Sequence, residues 1–219
     1  MDDWFPLWLS IRVAFTATVV AGVTGVALAY LLAKARFRGR ALIEAVVTLP
    51  IVLPPTVLGF YLLTALGVNS PIGRAWERIV GQPLVFTAGA AIVAASVSAL
   101  PFVVRTARAA IESVDPRVEA AARVAGLPEW QVARRVTLPM ARRGLSAGIA
   151  LGFARALGDF GATVMVAGNI PGRTQTLPIK VYDAVQAGDQ AAARTGSLLL
   201  AGVAVVVLLV VTQFAVQRP

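Results

Sequence analysis

Apolar residues run through this chain in blocks too long for a soluble core. Crossing the hydrocarbon of a bilayer takes about 20 of them, and the stretches 13–33, 45–66, 84–104 and 196–217 reach that length without a charged residue. A fifth stretch, 144–170, is as long but carries Arg155 and Asp159. The pattern predicts an all-α integral membrane protein of about five transmembrane helices, in one domain over residues 1–219. The second stretch contains TLPIVLPPTVLGFYLL, with Pro50, Pro54 and Pro55 inside it. Each proline removes a backbone donor and crowds the preceding turn, so a kink or break is expected; counting that span as two gives six helices. Broken helices survive at membrane depth where protein or a water-filled cavity satisfies the freed carbonyls, which makes this span a candidate pathway wall. A kink that only shapes the bundle accounts for the same prolines.

The longest polar interval, 115–139, reads DPRVEAAARVAGLPEWQVARRVTLP. Asp115 suits a helix cap, Pro116 the first helical position, and Glu119 the positive end of the helix dipole. Val118, Ala121, Ala122 and Ala125 recur three and four apart, which predicts one face to bury. Gly126 is placed to close that helix in the left-handed conformation. Pro128 opens a second helix with Trp130, Ala133 and Val136 along one side, and Pro139 ends it. Elsewhere small residues dominate the apolar blocks, among them Gly22, Gly25, Ala94, Ala95, Gly148 and Gly152, a composition that lets membrane helices approach closely.

Composition agrees with lipid as the solvent: 58% of residues are hydrophobic and 14% charged. The net charge of +9 does not point to nucleic acid, because the basic residues border apolar blocks instead of forming a solvated face with stacking aromatics. They collect after the 13–33 block and between the 84–104 and 144–170 blocks, and basic residues in short loops mark the cytoplasmic side. The N-terminus is therefore expected outside, the C-terminus and the 115–139 stretch inside. Asp2 and Asp3 stand where a signal peptide would be basic, so the first block is expected to be retained. With no His and no Cys, thiolate chemistry and imidazole proton transfer are excluded. Nor is there a glycine-rich phosphate loop ending in Lys-Ser or Lys-Thr, so the chain is not expected to be an enzyme that hydrolyses ATP.

Gly126, nine residues, then Val136, Thr137, Leu138 and Pro139 resemble the second half of the EAA loop of the membrane permease subunits of ATP-binding-cassette importers. The first half departs from the pattern: Ala120, Ala121 and Ala122 fill the EAA slots, and Glu119 stands one residue early. The resemblance implies that Glu119, Ala120, Ala121, Ala122, Gly126, Trp130, Val136, Leu138 and Pro139 form coupling helices seated in a groove on a cytosolic ATPase. An amphipathic helix in a groove is a sound mode of docking, and a partnerless hairpin on the membrane surface is the plain alternative. The resemblance further implies a prokaryotic cytoplasmic (inner) membrane location, a second copy of the chain, two ATPase subunits that carry the ATP and Mg, no cofactor in this chain, and an extracytoplasmic oxyanion-binding protein.

TLPIVLPPTVLGFYLL and ARALGDFGATVMVAGNIPGRTQTLPIKVYDAV resemble the molybdate branch of these permeases. Where that branch reads LGEFGAT, this chain has Asp159 between Gly158 and Phe160, which keeps the charge. The implied cargo is molybdate or tungstate, with sulfate or thiosulfate as the alternative. A proton-coupled secondary transporter stays open, since one intramembrane acid can carry a proton. Pathway or gate candidates are Pro50, Pro54, Pro55, Arg155, Asp159 and the uncharged donors Thr48, Thr56, Ser96, Ser98, Thr163 and Asn169, although Ser and Thr commonly bond within their own helix. Arg155 and Asp159, four apart on one face, are spaced to pair and lower the cost of burying either charge.

Overall fold

In a computed structural model the residues described are 4–35 and 37–216; Asp2, Asp3 and Gln217, which entered the reading above, lie outside them. The apolar blocks become helices: α1 (Phe5–Lys34), α2 (Arg40–Val52), α3 (Pro55–Leu66), α4 (Pro71–Val80), α5 (Ala88–Glu112), α6 (Pro116–Val124), α7 (Glu129–Val132), a π-helical turn (Ala133–Thr137), α8 (Leu138–Met140), α9 (Arg142–Leu157), α10 (Gly161–Ala167), α11 (Leu177–Gln186) and α12 (Gln190–Val216). Among the described residues there is no strand. Helices α1, α5 and α12 are each long and apolar enough to cross a membrane, and the number rises to five if each of two bent pairs counts as one span.

Those bends are where the prolines and glycines act. Pro54 cannot donate a backbone bond, and the chain turns by 119° between α2 and α3, so the expected span 45–66 doubles back instead of crossing as one rod. The expected span 144–170 breaks between Leu157 and Gly161 with a bend of 59°, and its second half ends at Ala167. Residues 84–104 differ at the start: Leu84 and Val85 are buried but not helical, and Thr87 caps α5 by accepting from the Ala90 amide at 3.3 Å. Their apolar character serves packing, and the helix is shifted toward Glu112. Two of the intervals between the apolar blocks contain short helices, α4 and α11; α4 is capped by Ser70, whose hydroxyl accepts from the Gly73 amide at 2.8 Å.

The core lies where α1, α5 and α9 pack along one another. Ala14, Ala17 and Ala21 of α1 face Ala90, Ala91, Ala94, Ala95 and Ala99 of α5, all buried. Side chains this small let dispersion contacts accumulate between backbones, the main attraction available to helices whose surroundings are already apolar. Val103 is the filler: a β-carbon on Gly25 of α1 would sit 2.9 Å from it, and one on Gly152 of α9 would sit 2.7 Å away. Helix α12 packs at the periphery and leaves Leu198, Val205, Val206 and Leu209 exposed, as a lipid-facing surface should.

Overpacking such a contact costs about 1–3 kcal/mol. Gly152→Leu is accordingly expected to lower the thermal unfolding temperature of the detergent-solubilised protein, whereas Gly202→Ala, with open space around its α-carbon, leaves it unchanged.

Candidate functional site

The two breaks face each other. A β-carbon on Gly161, at the start of α10, would lie 2.8 Å from Pro55 Cβ at the start of α3, and one on Gly59 would lie 2.6 Å from Met165 Cβ. Glycine at both positions brings the interrupted helices into backbone contact. Between them is a cavity of about 480 Å³ whose wall includes Pro50, Pro55, Thr56, Phe102, Arg155 and Asp159.

Asp159 is the most constrained polar group there. Its side chain is 1% exposed. Oδ1 accepts from Ser98 Oγ of α5 at 3.0 Å and faces Arg155 Nη1 of α9 at 2.9 Å; Oδ2 accepts from the Thr163 amide at 3.0 Å and the Thr163 hydroxyl at 2.7 Å. One carboxylate thus ties three helices together at the point where α9 stops. A buried charge needs this many donors, because desolvation otherwise exceeds what a single ion pair returns.

The sequence candidates divide on this geometry. Ser98, Arg155, Asp159 and Thr163 form one cluster, and Pro50, Pro55 and Thr56 share the cavity with it. Pro54 stands just outside as the residue that caps α3. Ser96 donates to the Ile92 carbonyl at 2.7 Å, with the Ala17 carbonyl 3.5 Å away, so it serves α5 and its contact with α1. Thr48 is half-buried within α2. Asn169 lies beyond α10, donating to Asp183 at 2.7 Å and accepting from Gln175 at 3.0 Å; Gln175, Asp183 and Ser10, whose hydroxyl accepts from the Leu177 amide at 2.7 Å, pin the segment between α10 and α11. No local pattern announces that network.

The 115–139 stretch is a helical hairpin. Asp115 accepts from the Arg117 amide at 2.8 Å, and Gly126, at φ +88°, closes α6 with its own amide bonded to Arg123 and that of Leu127 bonded to Ala122, the double bond of a Schellman turn. Arg123 clasps Glu129 across the turn at 2.6 and 3.2 Å. The inward face departs from the periodicity. Val118, Val124 and Trp130 are exposed, as are Ala120 and Ala121, Ala125 likewise, while Ala122 and Val136 are half-buried. The residue of α6 that is buried is Glu119.

Glu119 points back into the protein. Lys34, at the end of α1, approaches Oε1 to 2.7 Å and donates to Oε2 at 2.8 Å, and Thr137 Oγ1 donates to Oε1 at 2.6 Å. Burial alone would raise the Glu119 pKa, but the bonds from Lys34 and Thr137 and the charges of Lys34 and Arg123 outweigh it and hold the carboxyl below the usual glutamate range. The π-helical turn places Thr137 for this bond: Leu138 donates to the Ala133 carbonyl, and the wider turn makes room for Pro139, which cannot donate and would crowd a regular α-helix. Lys34 and Thr137 were missed by the sequence reading. Lys34 resembled any cytoplasmic-side cation, and Thr137 fell between the Val136 and Leu138 of the motif.

Interrupted helices meeting at a lined cavity, with a polar hairpin tied to the first helix, fit a membrane transport component. The family of binding-protein-dependent transport system inner membrane components matches residues 25–218, and the chain belongs to it. A putative molybdenum transport system permease protein of Bacillus subtilis, YvgM, is 42% identical over 184 residues, covering 84% of this chain and 81% of that one. The molybdenum transport system permease protein ModB of Escherichia coli is 39% identical over 194 residues, covering 88% and 85%. The sulfate transport system permease protein CysT of Escherichia coli is 36% identical over 189 residues, covering 86% and 68%. Among solved structures, an inward-facing MetNI methionine ABC transporter superposes with a TM-score of 0.77 at 18% identity, covering 98% of each chain. These similarities establish an ABC-importer permease fold.

Removing Arg155 strands a buried charge, a loss of about 3–5 kcal/mol. Arg155→Ala is therefore expected to destabilise the solubilised protein more than Arg155→Ala combined with Asp159→Asn, as read by thermal unfolding. Lys34→Met is expected to cost about 3 kcal/mol by the same logic, with much of it recovered when Glu119→Gln is added. Because the folded Glu119 pKa lies below the unfolded one, the stabilisation is complete above the ordinary glutamate range and fades as pH falls through the folded value. The gap in unfolding temperature between wild type and Lys34→Met should narrow on that acid side.

Proposed function

We propose that this chain is the permease subunit of an ATP-driven importer of molybdate, with tungstate accepted as a close analogue, in the cytoplasmic membrane of a prokaryote. Two copies enclose a central pathway. Two cytosolic ATPase subunits bind the ATP and Mg, and an extracytoplasmic binding protein delivers the anion. The observation that carries this reading is the identity of 39% and 42% with permeases named for molybdenum transport, over more than four-fifths of either chain. The positive-inside distribution of Lys and Arg supports an N-terminus outside and a hairpin and C-terminus in the cytoplasm.

The hairpin geometry supports its role as the coupling element. Val118 and Val124 of α6 and Trp130 of α7 are exposed and offer apolar anchors to a groove on the ATPase, with Ala120, Ala121 and Ala122 on α6 and Gly126, Val136, Leu138 and Pro139 setting the turn and exit of the hairpin. Glu119 faces the other way. Its bond to Lys34 joins the hairpin to α1, so that closure of the ATPase subunits displaces the helix along which the core is packed and shifts the balance between outward- and inward-open states. A second reading is import of sulfate or thiosulfate, and the relative CysT, a sulfate permease by name, supports its sulfate form at 36% identity.

Reconstitution with candidate ATPase and binding proteins in lipid vesicles tests the reading. Molybdate uptake is expected to require ATP and to be competed by tungstate more strongly than by sulfate. Preferred sulfate uptake would establish the second reading, and uptake driven by a proton gradient without ATPase would remove both. At Gly126 an added β-carbon meets nothing within 4 Å, so the constraint is the positive φ, which costs an L-residue about 1–2 kcal/mol. Gly126→Val is expected to leave a folded permease with uptake lost, whereas Gly126→Asn, tolerant of that conformation, retains it.

A further inference from the structure

The ion pair at the break is lopsided. Asp159 is saturated: both oxygens are occupied by Ser98, Thr163 and Arg155, and 1% of its side chain is exposed. Arg155 spends one nitrogen on Asp159, leaves 24% of its side chain exposed and forms part of the wall of the cavity. Guanidinium carries five N–H donors in a planar fork, and among the described residues Asp159 is its one ionic partner.

We infer that Arg155 is a transient contact for the permeating oxyanion, with Asp159 as the counter-charge that keeps the contact weak; this deepens, and rests on, the oxyanion-import reading. A tetrahedral dianion entering an apolar channel needs donors, and a guanidinium matches its oxygens two at a time. An uncompensated arginine would also retain it, because conduction requires a site favourable enough to enter and weak enough to leave. Asp159 meets both needs. Locked by α5 and α10, it stays beside the guanidinium and cancels its formal charge, so the anion meets hydrogen-bond donors without a net cation. Secondary transporters build anion sites where interrupted helices meet at membrane depth, and here the close contacts at Gly59 and Gly161 set two such helices against each other. The roles of the pair differ accordingly: loss of Arg155 removes the contact, and neutralising Asp159 strengthens it.

The absence of native cysteine allows a direct test. In the assembled complex, Thr56→Cys places a thiol in the cavity wall for a membrane-impermeant thiol reagent, with tungstate as the protecting anion. Tungstate is expected to slow labelling; adding Arg155→Gln should raise the half-protecting concentration by about tenfold, the worth of one charge-assisted hydrogen bond. Adding Asp159→Asn should lower it. Each variant is checked for folding by thermal unfolding, and if Arg155→Gln does not fold, the sign of the Asp159→Asn shift decides. No protection, protection independent of residue 155, or an unchanged or raised half-protecting concentration in Asp159→Asn would overturn the inference. Failure of the wild-type complex to take up any oxyanion would instead remove the importer reading, which separates the two.

Discussion

A carboxylate without solvent has to be satisfied by its neighbours, and Asp159 imposes that condition at the point where α9 ends. Four donors from three helices meet it. The break there lets Thr163 present both its amide and its hydroxyl to one oxygen, an arrangement that needs the chain to reopen as a new helix directly after Phe160. The bend, the ion pair and the contact with α5 therefore stand or fall together.

Close packing makes the arrangement rigid. Alanines line α1 and α5, and Val103 fills the notches left by Gly25 and Gly152. In a lipid environment no hydrophobic gain drives helix association, so contact area between backbones is what holds the bundle. The same device, glycine opposite a bulky neighbour, brings α10 against α3 and sets the walls of the cavity.

At the other end, Glu119 joins three segments distant in sequence. Lys34 closes α1, Thr137 belongs to the π-helical turn, and Glu119 opens α6. The Lys34–Glu119 pair anchors the hairpin to α1, and α1 packs along α5 and α9, which carry the cluster around Asp159. Under the proposed function, this is the mechanical route from an ATPase to the anion.

Much of this is legible in the sequence. Long charge-free blocks require helices in lipid, Pro54 forbids a continuous α2 and α3, and Gly126 with Pro128 marks a turn, because each follows from backbone sterics acting over a few residues. Spacing put Arg155 and Asp159 on one face for the same reason. What local pattern could not carry was orientation and partnership across the fold. Periodicity in α6 put Val118, Ala121, Ala122 and Ala125 on one face to bury, yet within this chain Glu119 is buried while Val118, Ala121 and Ala125 are exposed, since the deciding contacts come from Lys34 and Thr137. Ser96 and Ser98 look equivalent in sequence, and only packing against α10 gives one of them Asp159 and leaves the other bonded to its own helix. The chain alone determined where helices form and fail; the tertiary structure decided which polar groups meet, because a buried charge chooses its donors in space and not along the backbone.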